Sequence, residues 1–262
     1  MPPDTSLLAQ PRSATPARAG RLLAVASGKG GVGKTWFAVT LAHALARRGR
    51  RVLLFDGDLG LANVDIQLGL QPRHDLSAVI AGRVPLGGAC QRVEPGGFDV
   101  LAGRSGSGAL SGLDAAVTAG VLDALRRLTG AYDDIVLDLG AGVERTVRSM
   151  AAAADLVLVL ATEEPTSLTD AYATLKLHAA DRPAGPARLV INQSSSRAAG
   201  QRTYGTLARA CQAFLGHTPP LAGIVRRDSR VADAIRRQTL LLTRHPNSVA
   251  GEDVERIAGG LA

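Results

Sequence analysis

Short apolar segments alternate with segments of helix length from residue 21 onward. Seven of the short segments are rich in Leu, Val and Ile and show little alternation with polar residues, which is typical of parallel strands buried on both faces. They are residues 22–26, 52–55, 99–101, 135–139, 156–161, 189–191 and 221–225. The pattern therefore predicts a mostly parallel sheet.

The longer segments between these strands have helical periodicity. They are residues 34–47, 113–128, 143–153, 167–180, 201–215, 229–238 and 248–262. In the second of them Val117, Val121, Leu122, Leu125 and Leu128 form one apolar stripe, and the last should turn Val254, Ile257 and Leu261 inward. Strands that alternate with helices predict an α/β fold, here a single doubly wound domain over residues 21–262.

The composition is that of a folded domain, and it also bears on membrane spans and on the redox compartment. The chain has 262 residues, of which 46% are hydrophobic, enough to bury a sizeable core. Residues 1–20 mix Pro, Ser, Ala and Arg and are predicted to be a disordered extension, whereas the glycine-rich residues 103–112 should form a surface loop.

The longest apolar run, residues 156–161, is followed by Thr162 and is far shorter than a membrane span. Cys90 and Cys211 lack zinc-site spacing, so we expect two core residues in a reducing compartment.

The basic residues are almost all arginine. Of the 30 Lys and Arg side chains, only Lys29, Lys34 and Lys176 are lysine, and two of them lie within six positions. Arginine differs from lysine in presenting a wide planar fork rather than a compact ammonium. We therefore expect a compact ammonium to be required at Lys29 and Lys34.

A glycine-rich segment follows the first predicted strand and leads directly into the first helix. It consists of Gly28, Lys29, Gly30, Gly31, Val32, Gly33, Lys34 and Thr35, and it fits the phosphate-loop pattern GxxxxGK[ST]. Such a loop turns backbone N–H groups toward phosphate oxygens. Lys34 would contact the β- and γ-phosphates, and Thr35 would offer its hydroxyl to Mg²⁺.

The same glycines also spell the dinucleotide fingerprint GxGxxG. In that interpretation Asp56, at the end of the second strand, would bind a ribose. This interpretation gives Lys34 and Thr35 no role. It also expects a residue without special chemistry at position 29, where the sequence has a lysine. The phosphate-loop interpretation is therefore preferred.

Three aspartates follow the second and fourth strands. Asp56 and Asp58 stand just beyond the second strand, and Asp138 ends the fourth. Carboxylates at this edge can order a water or hold hydrated Mg²⁺, although a simple cap of the strand end is an equal alternative for Asp56. No Glu follows Asp138, so a dedicated general base is missing and slow hydrolysis is expected.

The first lysine of the loop points to a family. The segment from Lys29 to Thr35 resembles the deviant Walker A motif of the MinD/ParA ATPases. This resemblance implies an ATP-dependent dimer in which Lys29 reaches the partner's phosphates. It also implies that Asp58 positions the attacking water, that Asp138 binds Mg²⁺ through water with Asp56 supporting the metal shell or the loop, and that Asn192 contacts adenine.

Segments outside the loop are similar to the FlhG/FleN branch of that family, which regulates flagellar number and placement. They are residues 56–70, 72–76, 79–82, 103–108 and 164–172. The branch implies a cytoplasmic switch with ATP and Mg²⁺ as cofactors. Its partners would be the flagellar GTPase FlhF, a flagellar transcription activator or flagellar switch proteins, and a partner could recruit it to the cell pole.

Three features depart from the family pattern. Trp36, which the resemblance places beside the nucleotide, replaces a small polar residue after the loop. Arg226 stands where many relatives have a proline beside the adenine, and the Gly140 region lacks a common proline. Near the C-terminus Glu252, Asp253 and Glu255 have the wrong charge for an anionic membrane. No stable autonomous membrane anchor is therefore expected.

Two other functions remain open. One is a ParA-like ATPase that binds DNA without sequence preference through arginines 226, 227, 230, 236, 237 and 244. A solvated surface is the preferred interpretation of that cluster in so arginine-rich a chain. The other is a degenerate member that binds nucleotide weakly and acts as a scaffold. A relative of the nitrogenase iron protein is disfavoured, because Cys90 and Cys211 do not adjoin the two switch strands.

Overall fold

Eight strands form one sheet in the computed structural model, which describes residues 20–58, 62–103 and 115–261. The strand order is β3-β4-β2-β5-β1-β6-β7-β8, and every neighbouring pair is parallel except β3 with β4. The bounds are β1 Arg21–Ser27, β2 Val52–Gly57, β3 Gln91–Val93, β4 Phe98–Leu101, β5 Asp134–Ala141, β6 Leu156–Ala161, β7 Ala187–Ser194 and β8 Leu221–Arg226. All seven predicted strands are confirmed.

Helices connect these strands and cover both faces of the sheet. The bounds are α1 Lys34–Ala46, α2 Val64–Leu68, α3 Leu76–Ile80, α4 Ala115–Leu128, α5 Arg145–Ala153, α6 Pro165–Asp181, α7 Arg197–Leu215, α8 Ser229–Arg236, α9 Leu241–Arg244 and α10 Val249–Leu261. A short 3₁₀ helix spans Leu86–Ala89. The predicted fold class, a doubly wound α/β domain with a mostly parallel sheet, is confirmed.

The core has two layers because successive side chains of a strand point to opposite faces. In β1, Leu23 and Val25 pack on the face that α1 and α10 cover, whereas Leu22, Ala24 and Ala26 pack on the opposite face. All five are at most 1% exposed. Because the strands are buried on both faces, their sequences are unbroken runs of apolar residues.

Two helices place their apolar residues as predicted. In α4, Val121 and Leu125 are buried in the core, and Leu122 and Leu128 are partly buried against it. In α10, Val254, Ile257 and Leu261 are buried, and the helix packs on α1 and β8. The C-terminal helix is therefore a part of the core.

The structure differs from the sequence prediction in local elements. β3 is a three-residue antiparallel edge strand, too short to produce a recognisable pattern. The seventh helix begins at Arg197 rather than at residue 201, because the Ser196 hydroxyl caps it by accepting the Ala199 N–H at 3.1 Å. The short helices α2, α3 and α9 were also not predicted.

Three further predictions can be compared with the described residues. Cys211 lies in the core, but Cys90 is only half-buried, since it precedes the edge strand β3. Within the described ranges, no helix is long and apolar enough to cross a membrane. The predicted extension, apart from Gly20, and nearly all of the predicted loop at 103–112 lie outside the described residues.

Candidate nucleotide-binding site

The loop between β1 and α1 has the backbone shape that its glycines allow. Gly31 and Gly33 have φ values of +78° and +87°, in the left-handed region where a side chain is strained. A Cβ atom at Gly33 would lie 2.7 Å from the Asn192 amide nitrogen, and one at Gly28 would lie 2.3 Å from the Asp170 carbonyl oxygen. These positions therefore require glycine.

Two amide side chains near the end of β7 donate hydrogen bonds to the phosphate loop. Asn192 donates its amide N–H to the Val32 carbonyl at 2.7 Å, and Gln193 donates to the Gly31 carbonyl at 3.1 Å. Asn192 is only 2% exposed. Its observed contact is thus structural support of the loop, and its contact with adenine stays a prediction.

Asp56 and Asp138 are neighbours across β2 and β5 at the carboxyl edge of the sheet. The Asp56 carboxylate accepts backbone N–H groups from Asp58, Asn63 and Val64 at 3.3, 3.0 and 3.0 Å. Burial nevertheless raises the pKa of Asp56 to about 7. Of the roles predicted for Asp56, the geometry favours support of the loop after β2.

Asp138 has no such set of donors. It is 1% exposed, and neither carboxylate oxygen has a partner of hydrogen-bond geometry among the described residues. Burial and the nearby Asp56 raise the pKa of Asp138 to about 8, while the Thr35 hydroxyl and the Lys34 ammonium oppose that rise. An unsatisfied buried carboxylate of this kind suits a hydrated cation.

The residues around Asp138 fit Mg²⁺ bound together with a phosphate ligand. The described residues contain no cluster of three or more His, Cys, Asp or Glu side chains that would hold a metal. Mg²⁺ characteristically binds through one or two carboxylates, several waters and substrate phosphates. Thr35 and Asp138 could supply the protein side of such a shell.

Lys34 and Asp58 complete the group of charges beside the loop. Lys34 is 9% exposed, and burial lowers its pKa while the charges of Asp138 and Asp58 oppose that change. Asp58 is half-buried and lies beside the carboxyl end of β5, since a Cβ atom at Gly140 would be 3.4 Å from its Oδ1. The fold thus brings Lys34, Thr35, Asp56, Asp58 and Asp138 together, as predicted from their strand-end positions.

Lys29 points away from this buried group. Its ammonium donates to Glu164 Oε2 at 2.7 Å and to Thr166 Oγ1 at 3.0 Å, both at the start of α6. The side chains of Lys29 and Glu164 are 38% and 66% exposed, and Lys29 lowers the pKa of the Glu164 carboxyl. Lys29 is therefore held at the surface by its own chain.

A cleft of about 340 Å³ adjoins the loop on the β7 and β8 side. Its lining includes Gly33, Trp36, Asn192, Arg226 and Val231, a mixture of apolar and polar groups that suits a nucleotide base. A larger cleft of about 780 Å³ lies at the opposite, amino-terminal edge of the strands. Ligands of open α/β sheets bind at the carboxyl edge, so the smaller cleft is the candidate.

Several arginines of the cluster considered for DNA binding have partners within the chain. Arg226 pairs with Asp253 at 2.7 Å, and Arg237 and Arg244 pair with Asp233 at 3.4 and 2.6 Å. These ion pairs reduce the charge that the surface offers to a phosphate backbone. DNA binding stays a weaker alternative.

A glycine loop between a strand and a helix, a buried lysine and a buried aspartate at the adjacent strand end define a P-loop nucleotide-binding protein. The family model for the CobQ/CobB/MinD/ParA nucleotide binding domain matches residues 23–241. The chain belongs to this family. The resemblance to MinD/ParA proteins is thereby confirmed.

Individual relatives agree with this assignment. The antiactivator FleN of Pseudomonas aeruginosa is 37% identical over 91% of this chain and 85% of its own length. The flagellum site-determining protein YlxH of Helicobacter pylori is 28% identical over 91% of this chain and 81% of its own. The septum site-determining protein MinD of Pyrococcus horikoshii, solved with Mg-ADP, superposes with a TM-score of 0.78 at 23% identity, over 92% of this chain and 96% of that one; this last likeness concerns the fold.

Sequence reasoning missed four side chains of the site. Glu164 and Thr166, which hold Lys29, lie in a segment that resembles FlhG/FleN proteins but has no recognisable chemistry of its own. Gln193, which supports the loop, and Asp253, which holds Arg226, follow no motif. Their partners are 162 and 27 residues away in the sequence, so only the folded chain reveals them.

The raised pKa of Asp138 predicts a pH dependence of stability. A carboxyl group that binds its proton more tightly in the folded than in the unfolded chain makes stability fall as pH rises between the two pKa values. Asp138→Asn removes this titration. From about pH 5 to about pH 8, the unfolding free energy of the ligand-free wild type should therefore fall relative to that of the variant, by roughly 1.4 kcal/mol for each pH unit. Denaturant titrations at several pH values would test this, and parallel curves for the two proteins would contradict it.

Proposed function

We propose that this protein is an ATP-hydrolysing switch that acts as an ATP-dependent homodimer and regulates flagella. The observation that supports it most is the group formed by Lys34, Thr35, Asp58 and Asp138 around the glycine loop. A buried cation, a hydroxyl and two carboxylates match the needs of a Mg²⁺–triphosphate ligand and of a water that attacks it. The similarity to FleN and YlxH supports the flagellar role.

Each residue would have a separate task. The loop N–H groups and Lys34 would bind and orient the β- and γ-phosphates, and Thr35 and Asp138 would hold the hydrated Mg²⁺. The metal would neutralise charge on the transferred phosphate. Asp58, half-buried beside Gly140, would accept a hydrogen bond from the attacking water. Since no glutamate follows Asp138, we expect turnover to be slow.

Asp58→Ala should separate ATP binding from hydrolysis. Lys34, Thr35 and the loop remain in this variant, and one negative charge near the triphosphate is gone. ATP affinity should therefore hold or rise, while the hydrolysis rate should fall by about 100-fold or more. Calorimetry and a phosphate-release assay measure the two quantities.

The matched control is Asp65→Ala, which removes a carboxylate from the nearby helix α2. It should leave the hydrolysis rate near that of the wild type. Normal turnover in the Asp58 variant would instead assign the attacking water to another group. Absence of ATP binding and hydrolysis in the wild type, with any candidate activator supplied, would contradict the proposed activity itself.

Lys29 would connect the nucleotide to the dimer. In the monomer its ammonium pairs with Glu164 and Thr166, and we propose that it exchanges these partners for the phosphates of a second subunit. Exposed ion pairs contribute little to stability because water screens both charges. This exchange would therefore cost little.

Lys29→Ala should leave ATP binding to the monomer intact and prevent the ATP-driven dimer, because the lost contact forms only between subunits. Light scattering of the protein in the presence of ATP and Mg²⁺ measures the dimer. The test is best made in an Asp58→Ala background, where slow hydrolysis preserves bound ATP. A variant that dimerises like the wild type would show that Lys29 has no role between subunits.

Glu164→Gln should have the opposite effect. It weakens the contact that holds Lys29 in the monomer, so half-maximal dimerisation should need about 2- to 5-fold less protein. The matched control is Glu163→Gln, since Glu163 instead contacts the hydroxyls of Ser194 and Ser195. Identical shifts in the two variants would contradict a specific release of Lys29.

The cellular role can be tested by complementation. This chain, expressed in Pseudomonas aeruginosa lacking FleN, should restore the parental number of flagella per cell, counted by electron microscopy. Lys34→Ala, which removes a charged contact to phosphate, should fail at equal expression. If the wild-type chain has normal ATPase activity but does not restore the number of flagella, the flagellar role is contradicted and only the ATP-hydrolysing switch remains proposed.

A further inference from the structure

The larger cleft lies at the amino-terminal edge of the strands, at the opposite end of the sheet from the phosphate loop. Its volume of about 780 Å³ is within the range of small-molecule sites. It is bordered by the first residues of β1, β6 and β7, by the ends of α6 and α7, and by the loops that precede β7 and β8. Ligands of open α/β sheets usually bind at the carboxyl edge, so a ligand in this cleft would depend on the side chains that line it.

The charges of this cleft are predominantly positive. Three arginines line it, namely Arg21, Arg182 and Arg188. Asp155 is the one acidic residue of the lining in the part of the chain that the structure describes. Its carboxylate is already paired at 3.0 Å with Arg126, which lies outside the lining. The one negative charge is therefore compensated from outside the cleft.

The three arginines have little compensation of their own. Arg21 donates its Nε to Asp134 Oδ1 at 2.7 Å, but Asp134 also pairs with Arg50. Arg182 and Arg188 donate to backbone carbonyls, and within the described ranges neither is paired with a carboxylate. The lining thus carries positive charge that favours an anionic ligand.

Two buried polar groups in the same lining lack a hydrogen-bond partner. His178 is only 6% exposed, and neither of its ring nitrogens has a partner of hydrogen-bond geometry among the described residues. The buried Nη2 of Arg21 likewise finds no acceptor there. Buried polar groups are usually hydrogen-bonded, and an unsatisfied one is costly. A ligand with acceptor oxygens would supply partners for both residues.

His178 offers that ligand a donor without requiring a charge. Burial and the positive charge of Arg182 lower the pKa of His178, although Asp181 opposes the change. The imidazole is therefore neutral at physiological pH and has one N–H to donate.

Apolar side chains form another part of the lining. They include Leu156, Leu175, Leu215 and Pro219. A ligand that uses the whole lining therefore needs both an anionic group and an apolar body. Several guanidinium groups suit a phosphate better than a carboxylate, because a phosphate monoester has more acceptor oxygens and more negative charge.

We propose that this cleft binds a small phosphorylated organic molecule. Its phosphate contacts Arg21, Arg188 and His178, and its apolar body packs on the leucines of the lining. The site is separate from the phosphate loop, and the inference does not depend on the proposed function.

Phenyl phosphate is the probe, because it is a small molecule with both a phosphate and an apolar ring. The five histidines of the chain can be labelled with ¹⁵N. The ring signals of His178 and His217, which both line the cleft, then report binding there by NMR. Phenyl phosphate should shift both signals along a saturable curve.

Three related compounds test which part of the probe is recognised. Benzyl alcohol lacks the charge, inorganic phosphate lacks the apolar ring, and benzoate has a carboxylate instead of the phosphate. Each should bind at least about tenfold more weakly than phenyl phosphate, since each loses one kind of contact. Equal affinity for benzyl alcohol or inorganic phosphate would overturn the proposed recognition, and equal affinity for benzoate would overturn the assignment to a phosphate.

Arg188→Ala should weaken the binding of phenyl phosphate by about tenfold, because one charge-assisted contact is lost. The matched control is Arg202→Ala, which removes an exposed arginine of α7 outside the lining and should change the affinity by less than about twofold. Lys34→Ala removes the cation of the phosphate loop and should also leave the affinity unchanged. Thermal unfolding of each variant checks that the fold is intact.

His178→Phe keeps a flat ring but removes both ring nitrogens. Binding should weaken several-fold, with the His217 signal as the readout, while thermal stability should hold because the ring lost no hydrogen bond within the described chain. Unchanged binding in this variant would contradict the contact between His178 and the phosphate.

Two other results would overturn the site itself. If sodium chloride at the same ionic strength shifts the His178 signal as much as phenyl phosphate does, the effect is general electrostatics. If binding is lost in Lys34→Ala but not in Arg188→Ala, the probe binds at the phosphate loop. Neither result would bear on ATP hydrolysis, so the proposed function would stand.

Discussion

The site depends on two carboxylates that the sheet buries side by side. Strand register makes Asp56 and Asp138 neighbours, and like charges in a poorly solvated site oppose each other's ionisation. Asp56 is compensated by three backbone N–H groups. Asp138 lacks them and faces Lys34 and Thr35 instead. Ionisation of Asp138 is therefore unfavourable in the ligand-free site. A cation bound with phosphate would favour the ionised form, so ligand binding should stabilise the whole domain.

The strands predicted from sequence were those buried on both faces, because their apolar runs are unbroken. The phosphate loop was equally clear, since its glycines, lysine and threonine have a fixed spacing. Chain order alone also placed Asp56, Asp58 and Asp138 together, because the carboxyl ends of parallel strands share one edge. The edge strand β3 has only three residues, too few to create a periodicity that a sequence pattern can show.

Contacts between distant side chains could not be predicted, because no local pattern encodes them. Asn192 illustrates the difference: its position at a strand end was recognised, but its bond to the Val32 carbonyl depends on how the loop folds back over β7. The link between Arg226 and Asp253 likewise depends on the packing of α10 beside β8. The sequence gives no sign that an acidic residue of α10 is buried, yet Asp253 is only 1% exposed.

The two lysines of the phosphate loop lie in different environments. Lys34 is buried among acidic side chains, so its charge belongs to the site of its own chain and moving it would leave Asp138 uncompensated. Lys29 is exposed and held by a carboxylate and a hydroxyl of α6, contacts that water can replace at little cost. A residue that must bind phosphate in every state needs the first environment, and a residue that changes partners needs the second. The difference in burial between Lys34 and Lys29 thus fits the roles that the proposed function gives to the two ammonium groups.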